Sequence, residues 1–324
     1  MPLVEINDLQ VDYVRDGRRL RAVDHLNLEI EAGTMVGLVG ESGSGKSTLA
    51  LSLLGLLPRN AITAGGTADF DGIRLTDLSE SEWNGIRGRR IGMVFQGAMN
   101  TLNPVRRVID QVVETVLAHE PDIKKSGGIQ RATELLSLVG IPSDRHRSYP
   151  HEYSGGMRQR AGIALALSGQ PDLLIADEPV TALDVIVQAQ ILSLLEELQQ
   201  VLGLTVLFIT HDLGVVARSC HRVVVMYAAE IVEDGTCTEV FEAPKHPYSQ
   251  LLLQSVPSFV RGRGQSRGIP GAPASLLDPP KGCRFHPRCP SAMDVCSTER
   301  PRLKRFSGTR VAACHLYRED GDVK

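Results

Sequence analysis

Residues 40–48 read GESGSGKST, directly after the apolar run MVGLV at Met35–Val39 and directly before a helical pattern. No other stretch limits the fold so tightly. A G-x-x-x-x-G-K-[ST] loop works where it joins the end of a buried strand to the start of a helix. There the backbone N–H groups of Gly40, Ser42, Gly43, Ser44 and Gly45 can approach phosphate oxygens, and the positive end of the helix faces the same anion. Lys46 is placed to reach the outer phosphates, and the hydroxyls of Ser47 and Thr48 open the helix, with Ser47 suited to Mg²⁺. A glycine-rich turn without a ligand would not need both flanks.

The remaining pattern agrees with a parallel sheet flanked by helices. Ile91–Phe95, Leu173–Ala176, Thr205–Ile209 and Val223–Tyr227 are short apolar or β-branched runs separated by helical spacing. The spacing of Val105, Val108, Ile109, Val112 and Val116, and then of Ile129, Ala132, Leu136 and Val139, predicts a helical insertion, with Gly140 and Pro142 as its stop. Two of the strands end in polar groups. LLIADEP closes on Asp177 and Glu178, and the run TVLFI closes on Thr210-His211-Asp212. Strand C-termini are where an open α/β sheet places its ligand. Asp177 is therefore a candidate Mg²⁺ ligand, Glu178 a candidate base for an attacking water, and His211 a donor to a terminal phosphate. With net charge −3 and aromatic residues at 4%, neither an electrostatic footprint nor a stacking platform for nucleic acid is expected. The N-terminus has no basic stretch followed by an apolar one, and the Leu49–Leu57 run is far short of a bilayer span.

Between the loop and the acids lies YSGGMRQR, with Ser154 a natural N-cap and Gly155-Gly156 opening a helix, a second anion site. Two anion sites with one lysine suggest a nucleotide shared by two copies. On these residues the chain resembles the ATP-binding subunits of ABC transporters, SGGMRQR being similar to their signature motif. The resemblance implies an α/β P-loop NTPase fold, the ABC cassette, with a mixed sheet core and a helical subdomain at about 97–165. It implies ATP hydrolysis with Mg²⁺. It also implies roles: Tyr13 stacking on adenine, Gln96 touching Mg²⁺ and the attacking water, and Ser154, Gly155 and Gly156 contacting the partner's nucleotide. Asp177 would be the metal-binding acid, Glu178 the catalytic base, Asp184 the coupling acid and His211 the switch histidine. The chain departs from common family wording at Gly97-Ala98, Val180 and Ala229.

Past residue 243 the texture changes. HPYSQLLLQSVP is followed by a Gly/Pro-rich stretch, 261–282, and then by Cys283, Cys289, Cys296 and Cys314. Domains are therefore expected at 1–243 and 244–324, the second small, irregular and Cys-rich. This extension resembles that of the oligopeptide/dipeptide/nickel importer subfamily. The resemblance implies di- or oligopeptide uptake, with nickel, oligosaccharide or antimicrobial-peptide uptake as alternatives and a non-transport ABC ATPase as a further one. The implied partners are a second, homologous ABC ATPase subunit, two transmembrane permease subunits and an extracytoplasmic substrate-binding protein. The implied location is peripheral, at the cytoplasmic face of the inner membrane. Four cysteines can hold zinc, with His286 and His315 allowing a Cys/His variant, or an iron–sulfur cluster, and the resemblance favours a 4Fe-4S cluster, with zinc or another metal, or free thiols or disulfides, as the alternatives. Nine Lys/Arg between Lys281 and Arg318 are expected to offset the cluster's charge, to form a solvated face, or to meet anionic lipid. Cys220 and Cys237 are expected to be buried packing residues.

Overall fold

The computed structural model describes residues 2–15, 17–97, 101–181, 183–255 and 268–317. Ala98 and the 261–267 part of the Gly/Pro-rich stretch lie outside these residues. In chain order, the first elements are β1 (Pro2–Arg15), β2 (Arg18–Glu31), β3 (Met35–Val39), α1 (Lys46–Ser52), β4 (Ala61–Phe70) and β5 (Ile73–Arg74). Then come α2 (Glu80–Trp83), β6 (Ile91–Val94), α3 (Val108–His119), α4 (Lys125–Leu138), α5 (Gly155–Ala166), β7 (Leu173–Asp177), α6 (Val185–Leu202) and β8 (Thr205–Thr210). The chain continues with α7 (Leu213–Ser219), β9 (Arg222–Tyr227), β10 (Glu230–Thr236), α8 (Cys237–Glu242), α9 (Pro247–Ser255), β11 (Lys304–Ser307) and β12 (Arg310–Ala312).

Two compact units divide these elements. The first draws on residues within 1–31, 36–77 and 210–324. One of its sheets is antiparallel, in the order β2-β1-β4-β5. The other runs β11-β12-β10-β9-β3, with β9 parallel to β3 from Val36↔Arg222 to Val39↔Val225. Every residue of β3 is buried, as its unbroken apolar run requires of a strand covered on both faces. A two-residue turn links β9 to β10. Both turn residues, Ala228 (φ +45°) and Ala229 (φ +74°), are left-handed, as a type I′ hairpin demands.

The second unit holds residues 32–35 and 78–209. Its sheet, β6-β7-β8, is parallel, with Ile91↔Leu173 and Leu173↔Thr205 in register. All of β7 and β8 is buried. Helices α3, α4 and α5 follow one another between β6 and β7, with Val108, Val112, Val116, Ala132, Leu136 and Val139 in their shared core. Gly140 ends α4 at φ +74°, its N–H bonded to Ser137 O. Val105 departs from the expected helical spacing. It precedes α3 and is 79% exposed, because Gln111 turns back and bonds Asn103 N, Asn103 O and Arg106 O, holding the entering loop out of the helix.

Candidate functional site

The phosphate-loop motif lies between β3 and α1 in the first unit. Gly40 has φ +152° and Gly45 φ +106°. A Cβ on Gly40 would stand 2.1 Å from Met226 O, and one on Gly45 2.2 Å from Ala22 O, so backbone crowding as well as conformation demands glycine at both. The loop is pinned from behind, since Ala229 N donates to Ser44 O at 2.9 Å. The Lys46 side chain is buried under the loop, its Nζ donating to Gly40 O (2.8 Å), Glu41 O (2.9 Å) and Ser44 Oγ (3.2 Å). Ser47 is exposed on the first turn of α1 and Thr48 half-buried. Tyr13, on β1, brings its hydroxyl to 3.4 Å from Thr48 Oγ1, which places an aromatic ring beside the loop. His211 and Asp212 directly follow β8 and are exposed, and Asp212 caps α7 by accepting from Gly214 N at 2.8 Å.

The two adjacent acids belong to the second unit. Asp177 ends β7 and is buried. Glu178 follows at φ +47°, left-handed for a residue with a side chain, its N–H fixed to Ile209 O at 2.9 Å. Strained non-glycine backbone of this kind persists where the surroundings over-determine it, and it clusters at functional sites. The strain turns the Glu178 carboxylate into a polar cluster, where Oε2 accepts from Gln96 Nε2 at 2.9 Å and from Thr181 Oγ1 at 3.0 Å. Gln96 is exposed, two residues beyond the end of β6. The carboxylate is thus oriented by two neutral donors.

Ser154 caps α5, its Oγ accepting from Met157 N at 3.3 Å, as the sequence leads one to expect. Gly155 and Gly156 form the first turn of that helix. A Cβ on Gly156 would sit 2.7 Å from Val187 Cγ1 of α6, so packing requires this glycine. Asp184 caps α6, with Oδ1 accepting from Val187 N at 2.9 Å, a duty that the coupling role did not anticipate. Two helix starts are therefore held together, one bearing the Ser-Gly-Gly motif and one bearing Asp184. Thr181 was missed by sequence reasoning. Its position three residues after Glu178, in a turn where Thr181 N bonds Glu178 O, is the signal that points to it.

The two cysteines outside the cluster meet their expectation. Cys220 and Cys237 are buried, and the Cys237 thiol, pushed up to about 11 by burial, donates to Val216 O. Cys283, Cys289, Cys296 and Cys314 are neighbours. Burial pushes Cys283 up to about 12 and Cys314 up to about 11, the nearby cysteines adding to both, and raises Cys289 as well. Among the described residues, however, no three His, Cys, Asp or Glu converge to hold a metal ion. The 4Fe-4S or zinc site implied by the resemblance is therefore not supported by the described residues. His286 Nδ1 and His315 Nε2 each donate to a backbone carbonyl.

The basic residues are likewise not a bare solvated face. Arg284 pairs with Asp24 (2.5 Å) and Glu230 (2.8 Å), Arg300 with the same two acids, Arg288 with Glu41 (2.6 Å) and Arg310 with Glu233 (3.1 Å). Arg284, Arg288 and Arg310 are nearly buried. Burial alone would raise Asp24, but Arg300, Arg284 and Arg21 together hold it below the usual range. At Glu230 burial prevails and the carboxyl is raised.

Comparison with known proteins identifies the frame. A family model described as "ABC transporter" matches residues 23–181, and one for the "Oligopeptide/dipeptide transporter, C-terminal region" matches 232–296. The chain is 48% identical to the probable peptide ABC transporter ATP-binding protein y4tR of Sinorhizobium fredii, covering 96% of this chain and 94% of that one. It is 47% identical to the oligopeptide transport ATP-binding protein OppD of Salmonella typhimurium (96% and 93%), and 42% identical to the dipeptide transport ATP-binding protein DppD of Escherichia coli (99% and 98%). Among solved structures, the dimeric bacterial ABC transporter cassette MJ0796 aligns with TM-score 0.64 at 29% identity, covering 72% of this chain and 98% of its own. CbiO1 of Clostridium perfringens aligns with TM-score 0.66 at 28% identity, covering 75% and 91%. The chain belongs to the ABC transporter family, as an ATP-hydrolysing cassette of the group that carries the oligopeptide/dipeptide transporter C-terminal region.

Proposed function

We propose that this chain powers the uptake of di- or oligopeptides as the ATPase subunit of an importer. One observation carries the substrate class: identity of 42–48% to proteins named for peptide, oligopeptide and dipeptide transport extends over 96–99% of the chain. The cassette would occupy residues 1–243, with its helical subdomain at about 97–165, and the extension 244–324. Among the described residues no helix is long and apolar enough to cross a membrane, so the chain would act peripherally, at the cytoplasmic face of the inner membrane. It would act on two permease subunits, beside a second, homologous ATPase subunit and with an extracytoplasmic binding protein delivering cargo.

The family resemblance, together with the chemistry of the residues, suggests a part for each. Gly40, Ser42, Gly43, Ser44 and Gly45 would present N–H groups to the phosphates, and Lys46 would exchange its loop carbonyls for phosphate oxygens. The Tyr13 ring would stack on adenine. The hydroxyls of Ser47 and Thr48 open the helix that faces the phosphates, and Ser47, Gln96 and Asp177 would hold Mg²⁺, a hard cation suited to hydroxyl, amide and carboxylate oxygens. That ion supplies charge neutralisation along the phosphate oxygens. Glu178 would take the proton of the attacking water, Gln96 and Thr181 keeping its Oε2 oriented. His211 would donate to the terminal phosphate. Ser154, Gly155 and Gly156 would complete the partner subunit's nucleotide site, and Asp184 would link the two sites through the cap it makes on α6.

A metal at Cys283, Cys289, Cys296 and Cys314, a 4Fe-4S cluster or alternatively zinc, remains a proposal drawn from the resemblance and supported by the mutual closeness of the thiols. It requires them to lose protons and draw together. Anaerobically purified protein that is brown and contains iron supports the cluster. Colourless, metal-free protein refutes it. The cargo is tested by complementing cells that lack the subunit and measuring uptake of labelled dipeptide, oligopeptide, nickel and oligosaccharide. Restored peptide uptake is expected, and restored uptake of only nickel or sugar would reassign the transporter.

A further inference from the structure

The C-terminal extension holds the side chain of Glu41, in the phosphate loop. Its carboxylate is gripped on both oxygens by Arg288, with Nη1 to Oε2 at 2.6 Å and Nη2 to Oε1 at 3.0 Å. Its backbone N–H donates to the Tyr248 hydroxyl at 2.9 Å. Tyr248 belongs to the HPYSQLLL segment and Arg288 lies between Cys283 and Cys289. Two separate parts of the extension thus reach one residue of the loop, one through its side chain and one through its main chain.

The anchors themselves are tightly packed. Tyr248 and Phe285 are fully buried and meet at 5.3 Å between ring centres, and Tyr227, at the end of β9, packs on both at 4.6 and 5.2 Å. The Arg288 guanidinium lies over Tyr227 and Phe285 and also donates through Nε to Pro270 O at 2.8 Å. Its remaining N–H groups reach the Tyr227 hydroxyl (3.3 Å) and Ile269 O (3.4 Å), and an arginine so bonded with its face covered by rings is restricted to one geometry. Its opposite number, Glu41, is followed by exposed Ser42 and Gly43, the latter at φ +78° with open space where a Cβ would stand. Beside the clamp, a cavity of about 240 Å³ is lined by Glu41–Ser44 and by Pro273, Ala274 and Leu276 of the extension.

We propose that Arg288 and Tyr248 are positioning residues for ATP hydrolysis: the C-terminal extension clamps Glu41 and so holds the phosphate loop in the form that accepts nucleotide. The extension is then a working part of the ATP site and not an appendage to it. This rests on the reading that Gly40–Thr48 bind ATP. A loop released from the clamp spends only a fraction of its time in the accepting form, so apparent affinity falls by that fraction while saturating ATP restores the competent state. The signature is therefore a raised KM for ATP with kcat largely retained.

The test uses the full-length chain, fluorescent N-methylanthraniloyl-ATP with Mg²⁺ for binding, and steady-state hydrolysis in the assembled transporter. Tyr248→Phe keeps the ring packing and removes the acceptor for Glu41 N–H. Arg288→Lys keeps the charge and removes the two-pronged grip. Each is expected to weaken nucleotide binding about tenfold, with KM rising alike and kcat changing less than about threefold. Glu41→Gln is expected to match Arg288→Lys, and the double variant to be no worse than either single one, because both break the same contact. Nucleotide affinity within about twofold of the parent in both conservative variants, or losses that multiply in the double variant, overturns the proposal. A Lys46→Ala control separates the two levels. Loss of binding there with intact binding in Tyr248→Phe and Arg288→Lys removes only the clamp, whereas intact binding in Lys46→Ala removes the loop assignment itself.

Discussion

Glu178 combines the three properties a base at this position needs: a strained backbone that turns the carboxylate off the strand axis, two neutral donors that orient it, and partial access to solvent. Removing the Thr181 hydroxyl in Thr181→Val takes away one donor and leaves Gln96. Turnover is expected to fall several-fold, and ATP affinity is expected to hold, because Thr181 acts only through Glu178. Unchanged turnover in a single-cycle hydrolysis measurement would remove Thr181 from the site. A second residue sets a pH limit on stability. His246 is buried, its Nδ1 accepts from Tyr248 N at 3.0 Å, and burial lowers its pKa to about 3 from an ordinary 6.5. Below about 6.5 the unfolded chain takes up a proton that the folded chain refuses, so stability is lost as pH falls from about 6.5 toward 3. Urea titrations of the parent and of His246→Gln across pH 4–7 are expected to show a steeper acid loss in the parent. Parallel curves would contradict this.

At the scale of elements, the turn between β9 and β10 carries an unusual load. Ala229 sits at φ +74°, and its N–H pins Ser44 O. A side chain in that region costs about 1–2 kcal/mol, partly offset by the greater entropy that glycine would lose on folding. Ala229→Gly is expected to leave the melting temperature unchanged or raise it. A clear fall would mean that the methyl group is needed for packing. Ser154 begins α5, so Ser154→Ala removes a cap and is expected to cost about 1 kcal/mol of stability. It is also expected to slow hydrolysis in the assembled transporter while the isolated chain still binds ATP. Loss of ATP binding by the isolated chain would place this serine on its own nucleotide. The buried parallel strands β3, β6, β7 and β8 were legible in the sequence because a strand covered on both faces is an unbroken apolar run. The antiparallel sheet of β1, β2 and β4 was not. Its alternation is interrupted by register shifts near Ile6, Leu9 and Val11 and by left-handed Asp8, so the period that marks a half-buried strand is lost. The loop, acids and Ser-Gly-Gly motif were legible because their chemistry is local in sequence. Thr181 and Arg288 were not, since each matters only through a partner the fold brings near.

Across the whole chain, the C-terminal segment changes character most. Read from its cysteines it is a small unit in need of a metal staple. In the structure, ion pairs tie it down: nearly buried Arg284 and exposed Arg300 to Asp24 and Glu230, Arg288 to Glu41, and Arg310 to Glu233, while β12 pairs with β10. Removing one partner of such a pair strands a buried charge, so Arg284→Met is expected to destabilise the chain by roughly 3–5 kcal/mol, read as an early unfolding transition. Retention of parental stability would show that these pairs are not what holds the segment. The most direct test of the chain as an ATP-hydrolysing engine is a paired measurement on Glu178→Gln, of ATP binding and of steady-state hydrolysis by the assembled transporter. Binding is expected to remain at parental strength while turnover falls by about 10²–10⁴-fold. Near-parental turnover with intact binding would contradict the assignment of Glu178 and, with it, the way these residues are proposed to cleave ATP.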